Sequence, residues 1–263
     1  MSRTTVEAAG VALAVEEWGE GPPVLLLHGP ALDRSSWAET VEALGEGVRT
    51  LAYDRRGYGE SRTFEALRAT SVSEQAEDAA RVLEACAAGP VLLCAHDVSA
   101  LTALDLLVRH PGLVHGAVLV EPAMLSLVAA GREATAELRE VIQRGAREGG
   151  PAGAVDAYLE DLGGAGVLER LGPERADRAR AAARPFAADL AAAPAWEYVP
   201  RELRGLRAPI TVVSGTRSPE VRRAAARALV ELVPSARLVE IDAGHYLPLE
   251  APGELADVVR TML

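Results

Sequence analysis

The feature that most constrains this chain is an alternation of short, largely aliphatic runs with longer amphipathic stretches. Val24–Leu27, Val48–Tyr53, Val91–Ala95, His115–Val120, Ile210–Ser214 and Leu238–Ile241 are runs of the first kind. A strand that is apolar at nearly every position needs cover on both faces, and crossover helices supply it. Between the runs, apolar residues return at helical spacing, as in Leu101, Leu104, Leu107 and Val108. Ser71 or Ser73 can cap the helix that runs to about Ala87, and Ser35-Ser36-Trp37 with Glu39 opens another. Val11–Trp18 reads as an early strand. The expected architecture is α/β, a mostly parallel sheet flanked by helices. From Ala123 to Arg204 the strand pattern stops, and an Ala-, Arg- and Glu-rich segment keeps helical period. That predicts a core made of 1–122 and 206–263, with a helical insertion over 123–205.

Composition narrows the chemistry. Among 263 residues there is no Lys and no Asn, so all 27 basic residues are Arg. Schiff-base lysine chemistry and the phosphate-loop lysine are thereby excluded. A net charge of −11 disfavours nucleic acid as a partner. Two cysteines, Cys86 and Cys94, are too few for a disulfide framework or a zinc cluster, and Cys94 reads as a buried thiol. Asp33, Asp54 and Asp242 do not group with His at ligand spacing, so neither metal nor cofactor is expected. Residues 1–10 lack the apolar core of a signal peptide and no run of about 20 apolar residues occurs, so the expectation is cytoplasmic, with no membrane contact. Oligomeric state is not legible, and a homodimer stays open.

The chemistry concentrates at Ala95-His96-Asp97-Val98-Ser99, where a buried strand turns into a helix. Small flanking residues let the chain bend sharply and hold the central side chain at the sheet edge, before a helix N-terminus. The sequence here resembles the α/β-hydrolase family. The landmarks fall in order: an aliphatic strand into His28-Gly29, the turn Asp54-Arg55-Arg56-Gly57-Tyr58-Gly59-Glu60-Ser61, the elbow at Asp97, the helical insertion, and Gly244-His245 followed by Glu250. The resemblance implies an eight-stranded sheet with the insertion as a cap over the active site, and His245 as catalytic base.

An Asp at the elbow is similar to epoxide hydrolases and haloalkane dehalogenases, in which the carboxylate attacks carbon and a His-activated water hydrolyses the ester. A carboxylate is anionic at neutral pH and needs no base to attack, so the His works in the second step. Dehalogenases grip halide with indole or amide donors beside the nucleophile. Val98 occupies that place, and there is no Asn. Epoxide hydrolases use phenols from the cap, and the insertion holds Tyr158 and Tyr198, with Trp196 beside the latter as a pocket candidate. Each Tyr can equally pack the cap. The alternative for Asp97 is a helix N-cap, and for His245 a surface loop residue, but the other landmarks favour the catalytic roles.

Three departures stand out. The family's triad acid usually follows the seventh strand, where Ser218 stands, so Glu121, after the sixth, is the candidate for orienting His245, against the alternative of an exposed strand-end glutamate. Pro30 follows His28-Gly29 and has no N–H for an oxyanion, leaving Ala31 or only Val98 to donate. Ser99 and Ala100 replace the usual glycines, putting a hydroxyl near the site. Trp37 and Ser99 are further pocket candidates. His28 reads as a loop anchor, His96 as packing, and Arg55 and Arg56 as strand-end ion pairs rather than substrate ligands. The leading reading is a hydrolase that opens an epoxide on a hydrophobic small molecule. The alternatives are a non-hydrolytic acid–base enzyme acting on a polyketide-like metabolite through Asp97 and His245, and an inactive ligand-binding homologue.

Overall fold

The structure is a computed structural model that describes residues 1–87 and 89–263. Nine strands form one sheet: β1 (Ser2–Ala8), β2 (Val11–Trp18), β3 (Pro23–Leu27), β4 (Arg49–Tyr53), β5 (Arg62–Thr63), β6 (Val91–His96), β7 (Val114–Val120), β8 (Ile210–Gly215) and β9 (Ala236–Ile241). The order is β1-β2-β4-β3-β6-β7-β8-β9, with the two-residue β5 beside β2. From β4 to β9 every pairing is parallel, while β1, β2 and β5 pair antiparallel. The sheet thus has one strand more than expected, because Arg62–Thr63 pairs antiparallel with Val11–Ala12. β1 also had no sequence signal. Only Val6 of its seven residues is buried, and its pairing with β2 supplies the order.

Among the described residues, ten α-helices accompany the sheet: α1 (Ala38–Leu44), α2 (Val72–Cys86), α3 (Val98–Arg109), α4 (Gly131–Gly163), α5 (Val167–Ala181), α6 (Ala183–Ala195), α7 (Pro200–Arg204), α8 (Glu220–Leu232), α9 (Leu247–Glu250) and α10 (Pro252–Arg260). Ser71 caps α2 through the Glu74 N–H. Alternate side chains of each central strand feed opposite layers. Leu25, Leu27, Leu93 and Leu119 pack with α2, α3 and α8, while Val24, Leu26, Leu92 and Val118 pack with α1 and α10. Each such leucine stabilises the fold by about 1.5–3 kcal/mol.

Between β7 and β8 the chain is helical, as its period predicted. Gly150 (φ +65°) before Pro151 breaks α4, and Gly172 (φ +76°) before Pro173 breaks α5. Val155, Leu159, Leu162, Leu171 and Phe186 of this segment form a third apolar cluster with Ala31, Leu32 and Tyr246 of the sheet loops. A buried polar joint adds direction. Arg55, just past β4, makes two hydrogen bonds to the Asp189 carboxylate of α6, at 3.0 and 2.7 Å, and Tyr58 and Gln75 donate to the same carboxylate at 2.5 and 2.9 Å. Arg178 of α5 reaches Asp33 at 2.6 Å. Arg56 pairs with Asp78 and Glu74. Both arginines are therefore engaged in ion pairs, as their strand-end positions suggested. Among the described residues, no helix is long and apolar enough to cross a membrane.

Candidate active site

Among the described residues, three that are not glycine have positive φ: Ala31 (+61°), Asp97 (+55°) and Glu121 (+52°). Each lies just beyond the C-terminal end of a neighbouring parallel strand, β3, β6 or β7. L residues avoid this region, and such strain gathers at functional sites, where surrounding structure enforces it. At Asp97 the strain directs the side chain away from the helix it precedes. Its carboxylate makes no capping bond to α3, which removes the N-cap alternative.

Asp97 is 1% exposed and meets three partners. Arg222 Nη1 donates to Oδ1 at 2.8 Å, and Tyr158 Oη donates to Oδ2 at 2.5 Å. His245 Nε2 lies 3.3 Å from Oδ2, and His245 Nδ1 lies 3.2 Å from Glu121 Oε2. Glu121 is buried, not an exposed strand end, and its Oε1 accepts from the Gly215 N–H at 2.6 Å and the Ser214 hydroxyl at 3.2 Å. His245 is fully buried, so it is no surface histidine. Asp97, His245, Glu121 and Tyr158 are thus brought together.

Charge and burial oppose each other here. Burial pushes the Asp97 carboxyl up, but the Arg222 cation and His245 outweigh it and hold it well below the carboxylate range. Glu121 is likewise lowered, the His245 bond and charge outweighing burial. Burial and Arg222 depress His245, yet its bonds to Asp97 and Glu121 prevail and leave it raised. Burial, with the neighbouring Asp97 anion, lifts the Tyr158 phenol well above its usual value, so it stays protonated and donates.

The supporting residues have definite jobs. His96 is pushed down to about 4 by burial, then by His245, and its Nε2 donates to the His245 carbonyl at 3.0 Å. A Cβ on Gly29 would stand 2.7 Å from His96 Nδ1, so only glycine lets the loop after β3 approach this closely. His28 anchors that loop. The Arg55 N–H donates to its Nε2 at 3.0 Å and its Nδ1 donates to the Gly29 carbonyl at 2.9 Å. Glu250 Oε2 accepts the Gly244 N–H at 2.8 Å and props the loop that carries His245.

A cavity of about 1030 Å³ opens beside Asp97. Val98, Met124, Tyr158, Trp196, Tyr198 and Arg222 contribute to its wall. Trp196 and Tyr198 stack at 5.4 Å, and the indole N–H donates to Asp105 at 3.0 Å. Tyr198 therefore reaches the wall but not Asp97. Two expectations need correction. Trp37 packs among Val24, Leu26 and Leu255 in the core layer under α10 and is fully buried there, because its helix turns inward against the sheet. The Ser99 hydroxyl donates to the His28 carbonyl at 2.6 Å, tying α3 to the β3 loop instead of facing the cavity. Pro30 and Ala31 lie in that loop, with Ala31 fully buried. Arg222 was missed, though a signal existed. It lies three, four and seven residues before Ala225, Ala226 and Leu229, all buried, so helical spacing sets it on the inner face of α8. Among the described residues, no group of three or more His, Cys, Asp or Glu could hold a metal ion.

The profile of the alpha/beta hydrolase family matches residues 24–258. Epoxide hydrolase B of Mycobacterium tuberculosis is 35% identical over 100 residues, 38% of this chain and 28% of that protein. The 2-(acetamidomethylene)succinate hydrolase of Mesorhizobium japonicum is 27% identical over 267 aligned positions, covering 94% of this chain and 90% of the relative. The chain spans less than half the length of the first curated relatives it matches. The bromoperoxidase structure from Bacillus anthracis superposes with a TM-score of 0.83 at 19% identity, covering 99% of both chains.

Proposed function

The chain belongs to the alpha/beta hydrolase family, and on that premise we propose that it opens an epoxide of a hydrophobic small molecule, with Asp97 as nucleophile. The observation that carries this reading is the 2.5 Å contact between the Tyr158 phenol and Asp97 Oδ2, with His245 on the same oxygen. Helices between β7 and β8, residues 123–205, act as the cap that brings Tyr158 to the carboxylate.

In the first step Asp97 Oδ2 forms a bond to an epoxide carbon as the carbon–oxygen bond breaks, and the ring oxygen takes the Tyr158 proton. The anion that raised the phenol's pKa disappears in the same step, so Tyr158 becomes a better acid as the alkoxide forms. His245 then takes a proton from water, and the resulting hydroxide adds to the Asp97 carboxyl carbon. The tetrahedral species expels the diol oxygen, which takes the proton held by His245, and the proton left on the regenerated Asp97 carboxyl passes to the Tyr158 phenolate, restoring both groups. Glu121 fixes the imidazole and stabilises its cation. The largely apolar cavity suits a hydrophobic substrate, and the likeness to epoxide hydrolase B supports the same class.

A single turnover in oxygen-18 water tests this. The label should enter Asp97, read by peptide mass, while the diol takes its new oxygen from the protein. One observation favours a second reading. Pro30 removes an N–H from the loop where an acyl oxyanion would lie, which an elimination or cyclisation using Asp97 and His245 as acid and base does not need. Turnover without label in Asp97 selects that reading.

A further inference from the structure

We infer that Arg222 is the oxyanion-stabilising residue of the ester-hydrolysis step, standing in for the backbone donor that Pro30 eliminates. This rests on the nucleophile reading above. Hydrolysis of an Asp97 ester places negative charge on the carboxyl oxygen that is not alkylated. That atom is Oδ1, because Tyr158 and His245 both face Oδ2. Arg222 Nη1 already stands 2.8 Å from Oδ1, within the range a donor needs. The guanidinium is 5% exposed, lines the cavity beside Asp97 and comes from α8, not from the loop after β3. The Val98 N–H, at the first position of α3, has no intrahelical acceptor.

The charges support the assignment. A buried ion pair contributes little net stability, because desolvation offsets its attraction. Its effect on the two chemical steps is unequal. Beside the free carboxylate, Arg222 withdraws charge and makes Asp97 a weaker nucleophile. Beside the ester it polarises the carbonyl, and its attraction grows as hydroxide adds and Oδ1 becomes anionic. After alkylation Asp97 is neutral, so Arg222 no longer faces a carboxylate at Oδ1 and is left to the ester carbonyl, while the cluster's anions are Glu121 and the Tyr158 phenolate.

Arg222 therefore slows ester formation and speeds ester breakdown, which no merely structural role would do. The test follows both half-reactions with styrene oxide and trans-stilbene oxide by rapid acid quench and intact mass. Arg222→Gln should form the ester at least as fast as the native enzyme but hydrolyse it about 10²–10³-fold more slowly, so that an adduct of enzyme plus epoxide accumulates. Arg222→Lys, which keeps the charge on a single point donor, should hydrolyse faster than Arg222→Gln but still accumulate some adduct. Should Arg222→Gln fail to fold, the Lys variant decides, since a ratio of alkylation to hydrolysis raised above native supports the assignment. A folded variant in which that ratio stays native overturns it. Native enzyme that turns over without oxygen-18 in Asp97 defeats the nucleophile reading itself, and this inference with it. Label in the native enzyme, with a native ratio in the variants, defeats this inference alone.

Discussion

At the scale of single residues, the site is four charges and a phenol held out of water, so each group sets its neighbour's protonation. In the proposed mechanism His245 is neutral when it activates water, and in the free enzyme its pKa is raised by its two carboxylates against the pull of burial and Arg222. In the ester intermediate Asp97 is no longer an anion and Glu121 is the carboxylate left on the imidazole, so turnover limited by hydrolysis should rise with pH through the value that His245 takes beside Glu121. Glu121→Gln removes one of the raising partners, so the midpoint of the limb should move to lower pH, while kcat falls about 10²–10⁴-fold through loss of ring orientation. A pH–rate profile from pH 5 to 9 checks both. Tyr158→Phe leaves the carboxylate ionised and His245 in place but removes the acid. It should slow alkylation about 10²–10⁴-fold without accumulation of ester, the opposite of the Arg222→Gln signature. Asp97 was legible from a small-flanked turn after an aliphatic strand, whereas His245 was reached only through the family resemblance, since a late Gly-His by itself reads as a loop. Arg222 was harder to see, because α8 carries other arginines and an amphipathic Arg-rich helix reads as solvated. Trp37 misled for a related reason. Its position before a helix near the oxyanion loop is compatible with a pocket, and only the turn of that helix sends it into the core.

At the scale of elements, what matters is how the helices between β7 and β8 are fixed over the strand ends. Their apolar contacts set proximity, and the Arg55–Asp189 pair sets register, since each partner is about 1% exposed and four donors converge on one carboxylate. Asp189→Ala leaves the Arg55 cation buried and unpaired and should cost roughly 3–5 kcal/mol in a urea titration. Glu84→Ala breaks an ion pair whose side chains are 48–64% exposed, and should cost well under 1 kcal/mol. The sequence announced most strands, because strands buried on both faces must be aliphatic throughout. It did not announce β1 or β5, which are short or polar and form by pairing with β2. Asp189 could not be assigned either, since its partner lies 134 residues away and nothing local distinguishes it from a solvated aspartate.

At the scale of the whole molecule, the pH dependence of stability follows from groups whose pKa values differ between folded and unfolded chains. Asp97 and Glu121 are lowered, so their contribution is present above about pH 4 and is lost as pH falls through their folded values. His28 and His96 are also lowered, chiefly by burial. Unfolding lets them take up protons, so stability climbs until about pH 6.5. His245 is raised and acts in the opposite sense, its contribution fading as pH rises past 6.5 through its folded value. Near pH 5.5 His245 is protonated in both states and drops out, so unfolding takes up about two protons through His28 and His96, a slope of about 2.5 kcal/mol per pH unit. Urea midpoints measured from pH 4 to 9 should therefore peak near neutrality, and a maximum below pH 5 would contradict the assignment. By itself the sequence determined the central parallel strands, the helical segment and the carboxylate at the elbow, because periodicity and turn chemistry act over a few residues. Only the tertiary structure decided which groups meet that carboxylate. Tyr158, Arg222 and His245 come from elements 61, 125 and 148 residues away, and at such separations partners are selected by the packing of whole elements, which no local pattern records.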